Sequence, residues 1–258
     1  MILVAGDSFT WGSELANRNQ TFPKLLAKQY VDVSWPGYSN SSISRSVIEQ
    51  CEHSDITAAI VCWSFPGRYE FRFSYDTKQK HSPWYSINSW LVQDDLHSIE
   101  KEFVTKNPAI LNEHINTINR SKTTGVGDFA RVFYKHVGSD KYWQTYDSLK
   151  EIVYLQNYLI VKKIPYMFTC ADSNIFYTDA VDSKDSVIQS LYQQIDFDRC
   201  YFFPKGVFPA SEIPRGFYQW AVENKYPVGT THPLDAAHKA AADLMEDTFN
   251  ELVQKNIQ

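Results

Sequence analysis

Two clusters at opposite ends of the 258-residue chain carry the side chains best suited to chemistry. Near the start, Gly6-Asp7-Ser8 interrupts the apolar run Met1-Ile2-Leu3-Val4-Ala5; near the end stands Thr231-His232-Pro233-Leu234-Asp235-Ala236-Ala237-His238. A serine hydroxyl becomes a useful nucleophile only with a base in hydrogen-bond reach, and acyl transfer also needs N–H donors for the oxyanion. Ser8 is the candidate nucleophile, and a histidine of the second cluster is the candidate base. Pro233 starts a helix, which leaves His232 on the loop before it. From a loop, His232 reaches farther across a sheet than a residue one turn into a helix, so it is the preferred base. The alternative pairs His238 with Asp235, a literal Asp-x-x-His inside the first helical turn, where Asp235 more naturally faces the helix amino end.

The elements that must position these groups read as α/β. Met1–Ala5 shows no alternation, as in a strand buried on both faces of a parallel sheet. Gly6 then lets the chain bend sharply, and Asp7 and Ser8 stand at the carboxyl end of the strand, where open α/β sheets place their ligands. A following helix would aim its amides at a developing anion. Thr21 to Lys28 reads as a helix with Phe22, Leu25 and Leu26 inward, Tyr30 to Trp35 as a strand, and Ile43, Val47 and Ile48 as a helix face. Thr57 to Trp63 is a third strand, which completes β-α-β-α-β. Asp147 to Lys163 is an amphipathic helix, Ile164 to Cys170 a fourth strand, Val187 to Ile195 helical, Arg199 to Phe203 a short edge strand, and Asp235 to Val253 a terminal helix. The fold expected is a single three-layer αβα domain with a doubly wound, mainly parallel, flavodoxin-like sheet. A helical, aromatic-rich insertion at about 65–140 follows strand 3, with a helix from about Asp95 to Asn119, packed beside or over the carboxyl edge of the sheet, and it reads as too polar to be a well-buried second domain of its own.

Composition narrows the classes. A net charge of −5 gives no basic footprint, so nucleic acid is not an expected partner. No apolar run is long enough for a membrane span. The first strand starts at Met1, leaving no room for a signal peptide, so the expected location is the cytoplasm, or a host cytoplasm or virion for a phage product. Cys51, Cys62, Cys170 and Cys200 have no metal-ligand or redox spacing and read as inert reduced thiols. No cofactor and no metal is expected. Gly6 to Gly12 lacks the Gly-Lys-Ser/Thr ending of a phosphate cradle.

Gly6-Asp7-Ser8 directly after the first strand, with His232-Pro233 before the last helix, resembles the SGNH/GDSL hydrolases. In that family the resemblance makes Ser8 the nucleophile and His232 the base. It also implies a glycine amide after strand two, for which Gly37 in Pro36-Gly37-Tyr38-Ser39-Asn40 is the match. The sequence departs from the family twice. The aspartate three residues before the histidine falls on Gly229, so His232 is oriented either by a backbone carbonyl or by another carboxylate. The Gly-x-Asn-Asp block after strand three is replaced by Trp63-Ser64-Phe65-Pro66-Gly67-Arg68. The remaining oxyanion donor then falls to Asn40 or Ser64 beside the Ser8 and Gly37 amides, with Arg68 contributing charge and Asp7, Asp235 and His238 as supporting candidates. The serine block, the Gly-Tyr-Ser-Asn turn and the Trp-Ser…Arg strand end are similar to a divergent group found in tailed bacteriophages. The resemblance implies hydrolysis of a small-molecule or carbohydrate ester, with Trp84, Tyr85 and Trp90 as an aromatic wall for an O-acetylated sugar. The competing reading is a catalytically degenerate scaffold kept as a binding or virion-associated module, with homo-oligomer association as a further expectation.

Overall fold

The computed structural model describes residues 1–74, 83–92, 125–176, 185–204 and 215–253. In chain order, β1 (Ile2–Ala5), the four-residue α1 (Ser8–Trp11), α2 (Phe22–Leu26), β2 (Tyr30–Asp32), α3 (Asn40–His53) and β3 (Ala58–Trp63) form the opening β-α-β-α-β. A hairpin of β4 (Tyr69–Arg72) and β5 (Trp84–Ile87) follows, then α4 (Val126–Phe133), α5 (Lys141–Val161), β6 (Tyr166–Cys170), α6 (Ser186–Tyr192), α7 (Phe217–Glu223) and α8 (Asp235–Leu252). The main sheet is parallel, in the order β2-β1-β3-β6. Ile2 pairs with both Tyr30 and Ala58, and Ala59 pairs with Tyr166. In this order the chain reverses direction across the sheet between β1 and β3, and the crevice at the carboxyl ends of those strands is where such sheets bind ligands.

Helices cover both faces. Leu3, Ala5, Val61, Trp63 and Phe168 point to one side, against Ile43 and Val47 of α3, Ile152 and Leu159 of α5, and Ile188 of α6. Val4, Ile60, Cys62 and Met167 point to the other, against Phe22, Phe217, Trp220, Ala241 and Met245. The side-chain alternation of a strand thus feeds two cores, which explains why β1, β3 and β6 read as unbroken apolar runs. The three-layer α/β architecture is therefore the one the sequence implies.

Several boundaries differ. α5 begins at Lys141, six residues earlier than expected, because Asp140 caps it by accepting from the Trp143 amide at 2.8 Å. α2 is one short turn, and Leu25 faces outward; its buried positions are Phe22, Pro23 and Lys24. Lys24 is tolerated inside because its ammonium pairs with Asp32 at 2.6 Å and donates to the carbonyls of Trp11 and Arg18. The expected edge strand at Arg199–Phe203 is reduced to one parallel bridge, Phe168 to Cys200. Arg199 ends a 3-10 turn, and Phe203 turns away to pair with Arg215.

The described part of the insertion has a small apolar cluster. β4 and β5 pair antiparallel, and Tyr69, Ile87, Val126, Ala130 and Tyr134 pack together. The alternation Tyr69-Phe71-Phe73 supplies one aromatic face for that cluster. Arg45 of α3 ties the hairpin down, reaching both carboxylate oxygens of Glu70 at 2.8 Å. The expected helix from Asp95 to Asn119 lies outside the described residues. The four cysteines are free, and burial pushes the thiols of Cys51 to about 11 and Cys200 to about 12. Among the described residues no helix is long and apolar enough to cross a membrane.

Candidate active site

β1 delivers Asp7 and Ser8 to the carboxyl edge of the sheet. Gly6 is needed there for close approach: a Cβ would overlap the Thr10 side chain and crowd the Cys62 carbonyl. Asp7 is fully buried and caps α1 by accepting from the Phe9 amide at 3.1 Å. Its other oxygen accepts from the Ser64 hydroxyl at 2.6 Å and from Arg68 Nη1 at 2.9 Å. The strand ends of β1 and β3 are thus clamped by a buried carboxylate between a hydroxyl and a guanidinium. α1 has only four residues, and its Phe9 amide is taken by Asp7, so that amide is not among the helix donors that could face an anion, while the Ser8 amide is.

Gly12 ends α1 in the left-handed conformation, at φ 88°. Two residues on, Glu14 also stands at a left-handed φ of 68°, a costly conformation for a residue with a side chain. That turn aims its carboxylate at the loop before α8. One oxygen accepts from the Thr231 amide at 2.9 Å, the Thr231 hydroxyl at 3.0 Å and His232 Nδ1 at 2.8 Å. The other accepts from the Thr230 amide. Burial alone would raise the Glu14 carboxyl, but His232 and the donors of Thr230 and Thr231 outweigh it and hold the group at about 2. His232 Nε2 lies 2.8 Å from Ser8 Oγ.

This geometry fixes the imidazole's tautomer. An ionised carboxylate only accepts, so Nδ1 carries the proton that bonds Glu14. In the neutral ring Nε2 is then the acceptor, and the Ser8 hydroxyl is its donor. Ser8 is 7% exposed and the His232 side chain 15%, so both are recessed at the surface. The Phe9 ring packs against the imidazole at 4.7 Å, with Phe65, Phe217 and Tyr218 arranged around Phe9.

The other candidates sit differently. Gly37 is the third residue of a turn closed by the Tyr38 amide on the Trp35 carbonyl, with φ 83° after Pro36, a type II arrangement. The Trp35 amide bonds the Gly6 carbonyl, which sets this turn beside the end of β1. Neither the Ser8 nor the Gly37 amide donates to an acceptor among the described residues. Asn40 and Ser64, the expected further oxyanion donors, both bond within the fold, and Ser64 does so through its amide and its hydroxyl. Asn40 is buried, its Nδ2 donates to Ser148 and its Oδ1 accepts from the Ser64 amide, while the Ser64 hydroxyl is spent on Asp7. Arg68 is held by Asp7 and Ser64 and lies over the Phe65 ring at 5.0 Å.

His238 is corrected as the alternative base. It is 1% exposed, its Nδ1 accepts from the Phe22 amide at 3.3 Å, and its ring packs on Phe22 and Phe217. Burial, then the charges of His232 and Lys24, bring its pKa down to about 3. Asp235 is exposed in the first turn of α8 and bonds neither imidazole. The residues of the expected aromatic wall lie on or beside the hairpin. Trp84 lies on the hairpin under the Arg45 guanidinium, Tyr85 packs toward Phe73, and the Trp90 side chain lies outside the described residues. Sequence reasoning missed Glu14, for which the only signals were an acid six residues past Ser8 and the glycine at 229.

No family model and no curated protein matches this chain. Among solved structures it is similar to the psychrotrophic esterase EstA from a Pseudoalteromonas species, in a form inhibited by monoethylphosphonate. That similarity has 10% identity and a TM-score of 0.47, and it covers 98% of each chain. So distant a likeness assigns no chemistry here.

Proposed function

We propose that this chain is an SGNH-type serine hydrolase acting on a carboxylic ester. The observation that carries this reading is the 2.8 Å approach of Ser8 Oγ to His232 Nε2 at the carboxyl edge of a doubly wound sheet. Ser8 Oγ attacks the ester carbonyl as its proton passes to Nε2. The C–O bond to the alcohol then breaks, and the Nε2 proton leaves with the alkoxide. Water attacks the acyl-serine by the same route, returning the proton to Ser8 and releasing the acid. The oxyanion is held by the Ser8 and Gly37 amides, neither of which donates to another acceptor among the described residues.

The alcohol half we propose is a small molecule or carbohydrate, including an O-acetylated sugar. Trp35, 53% exposed and packed on Trp11 beside the Gly37 turn, supplies a stacking surface. One observation favours the second reading, a non-catalytic binding or virion-associated module: Asn40 and Ser64, the side chains expected to supplement the two amides, already bond within the fold. An alkyl fluorophosphonate and p-nitrophenyl acetate separate the two. Labelling at Ser8 and turnover, both lost in Ser8→Ala and His232→Ala, are the result expected of the hydrolase. A folded wild-type protein that neither labels nor turns over establishes the module instead.

A further inference from the structure

We infer that Glu14 is the positioning carboxylate of His232, and that Gly229 is the vacancy that admits it, so the acid comes from the nucleophile's own loop. This rests on the hydrolase reading above for its catalytic meaning, though its geometry stands alone. Glu14 gathers four donors on one buried carboxylate, two backbone amides, a threonine hydroxyl and the imidazole. Its side chain is only 3% exposed. The left-handed backbone at Glu14 is the kind of strain that persists only where its surroundings hold it.

Gly229 is explained by the same contact. Its backbone is not left-handed, so the conformation would accept any residue. What excludes a side chain is space: a Cβ built on Gly229 would overlap Glu14 Oε2, and its other near neighbours are the Glu14 Cδ at 3.1 Å and Leu234 Cδ2 at 3.4 Å. A short carboxylate grafted at 229 would therefore project into the volume Glu14 now fills, against the same imidazole. The two positions are alternative sources of one charge, and only one can be used at a time. Placing the charge on the loop after α1 has a consequence. The Gly229–His232 turn, closed by the Gly229 amide on the His232 carbonyl at 2.9 Å, docks on the nucleophile's loop through Glu14, so docking and orientation of the base are one event.

The test uses the full chain with Glu14→Gln, Glu14→Ala, Gly229→Asp and the double variant Glu14→Ala/Gly229→Asp. Imidazole 15N NMR reads the tautomer, p-nitrophenyl acetate gives kcat and KM, and thermal unfolding confirms folding. Wild type should show the His232 proton on Nδ1. Glu14→Gln and Glu14→Ala should lose that preference, with kcat down about 10²- to 10⁴-fold and KM nearly unchanged. Gly229→Asp alone should lower kcat, because it displaces Glu14. The double variant should regain the Nδ1 tautomer and at least about tenfold in kcat over Glu14→Ala. A folded Glu14→Gln with wild-type tautomer and kcat overturns the role of Glu14. A folded double variant with no recovery of the tautomer overturns the vacancy at Gly229. If wild type neither labels nor turns over, the hydrolase reading fails, while the tautomer still decides this inference.

Discussion

His232 and His238 lie six residues apart in one short block, yet the fold puts them to opposite uses. His232 precedes α8 on a loop, recessed at the surface, with its ring nitrogens bonded to Glu14 and Ser8 from the other end of the chain. His238 is one turn into α8 with its ring in the apolar layer, where its Nδ1 satisfies the first amide of α2. The difference is one of environment: the first imidazole faces an acid and a hydroxyl, and the second faces phenyl rings that desolvate its charged form. A histidine type at helical spacing cannot distinguish these fates, but the position of Pro233 does, because it separates loop from helix.

The largest expected effect tests that division directly. His232→Ala should abolish ester turnover, by at least about 10³-fold, with little change in melting temperature. His238→Ala should do the reverse: it opens a cavity and orphans the buried Phe22 amide, costing about 2–4 kcal/mol while the folded fraction keeps its kcat. Paired kinetics and thermal melts check both, and equal loss of kcat in the two folded variants would erase the contrast.

A second, smaller effect follows from the titration of His238. The unfolded chain binds a proton near 6.5, but the native ring resists it until about 3. Stability from this group is therefore full above pH 6.5 and is lost as the pH falls through that window, on the order of 4–5 kcal/mol in all. Glu14 acts with the same sign, yet only from its ordinary value of 4.5 down to about 2. The interval from 6.5 to 4.5 thus reports His238 without Glu14. His238→Gln, whose amide oxygen can accept from Phe22 N, should flatten the urea-unfolding free energy across that interval. An unchanged slope there would show that the ring is not held neutral.

How far these sites were legible depends on what each residue's place is built from. Ser8 and His232 stand beside punctuation, Gly6 and Pro233, at the ends of strongly patterned elements, so their positions could be read before their contacts were known. β1, β3 and β6 were legible for the same reason: each is an apolar run of strand length. Tyr201–Phe203 has the same texture, but Phe203 stacks on Trp220 at 5.0 Å, and nothing local separates a packed segment from a paired one. Asn40 and Ser64 have side chains suited to an oxyanion site, yet their partners, Ser148 and Asp7, are distant in sequence. Glu14 was the least legible, since its reach depends on a left-handed backbone that a glutamate rarely adopts and on the missing side chain at 229.

The smallest effect lies where the two histidines meet. Phe9 touches the His232 ring at 4.7 Å and the edge of Phe217 at 6.3 Å, and Phe217 in turn packs on His238 at 4.6 Å. If the two imidazoles are separate devices, loosening Phe9 should disturb only the first. Phe9→Leu keeps an apolar side chain of similar bulk, so its stability cost should stay within about 1.5 kcal/mol. With less ring surface against it, His232 retains its Glu14 and Ser8 bonds but gains rotational freedom, and kcat should fall about three- to tenfold. The stability slope between pH 6.5 and 4.5 should not move, because Phe22 and Phe217 still enclose His238. A Phe9→Leu protein whose slope flattens along with its kcat would show that the aromatic chain couples the two sites.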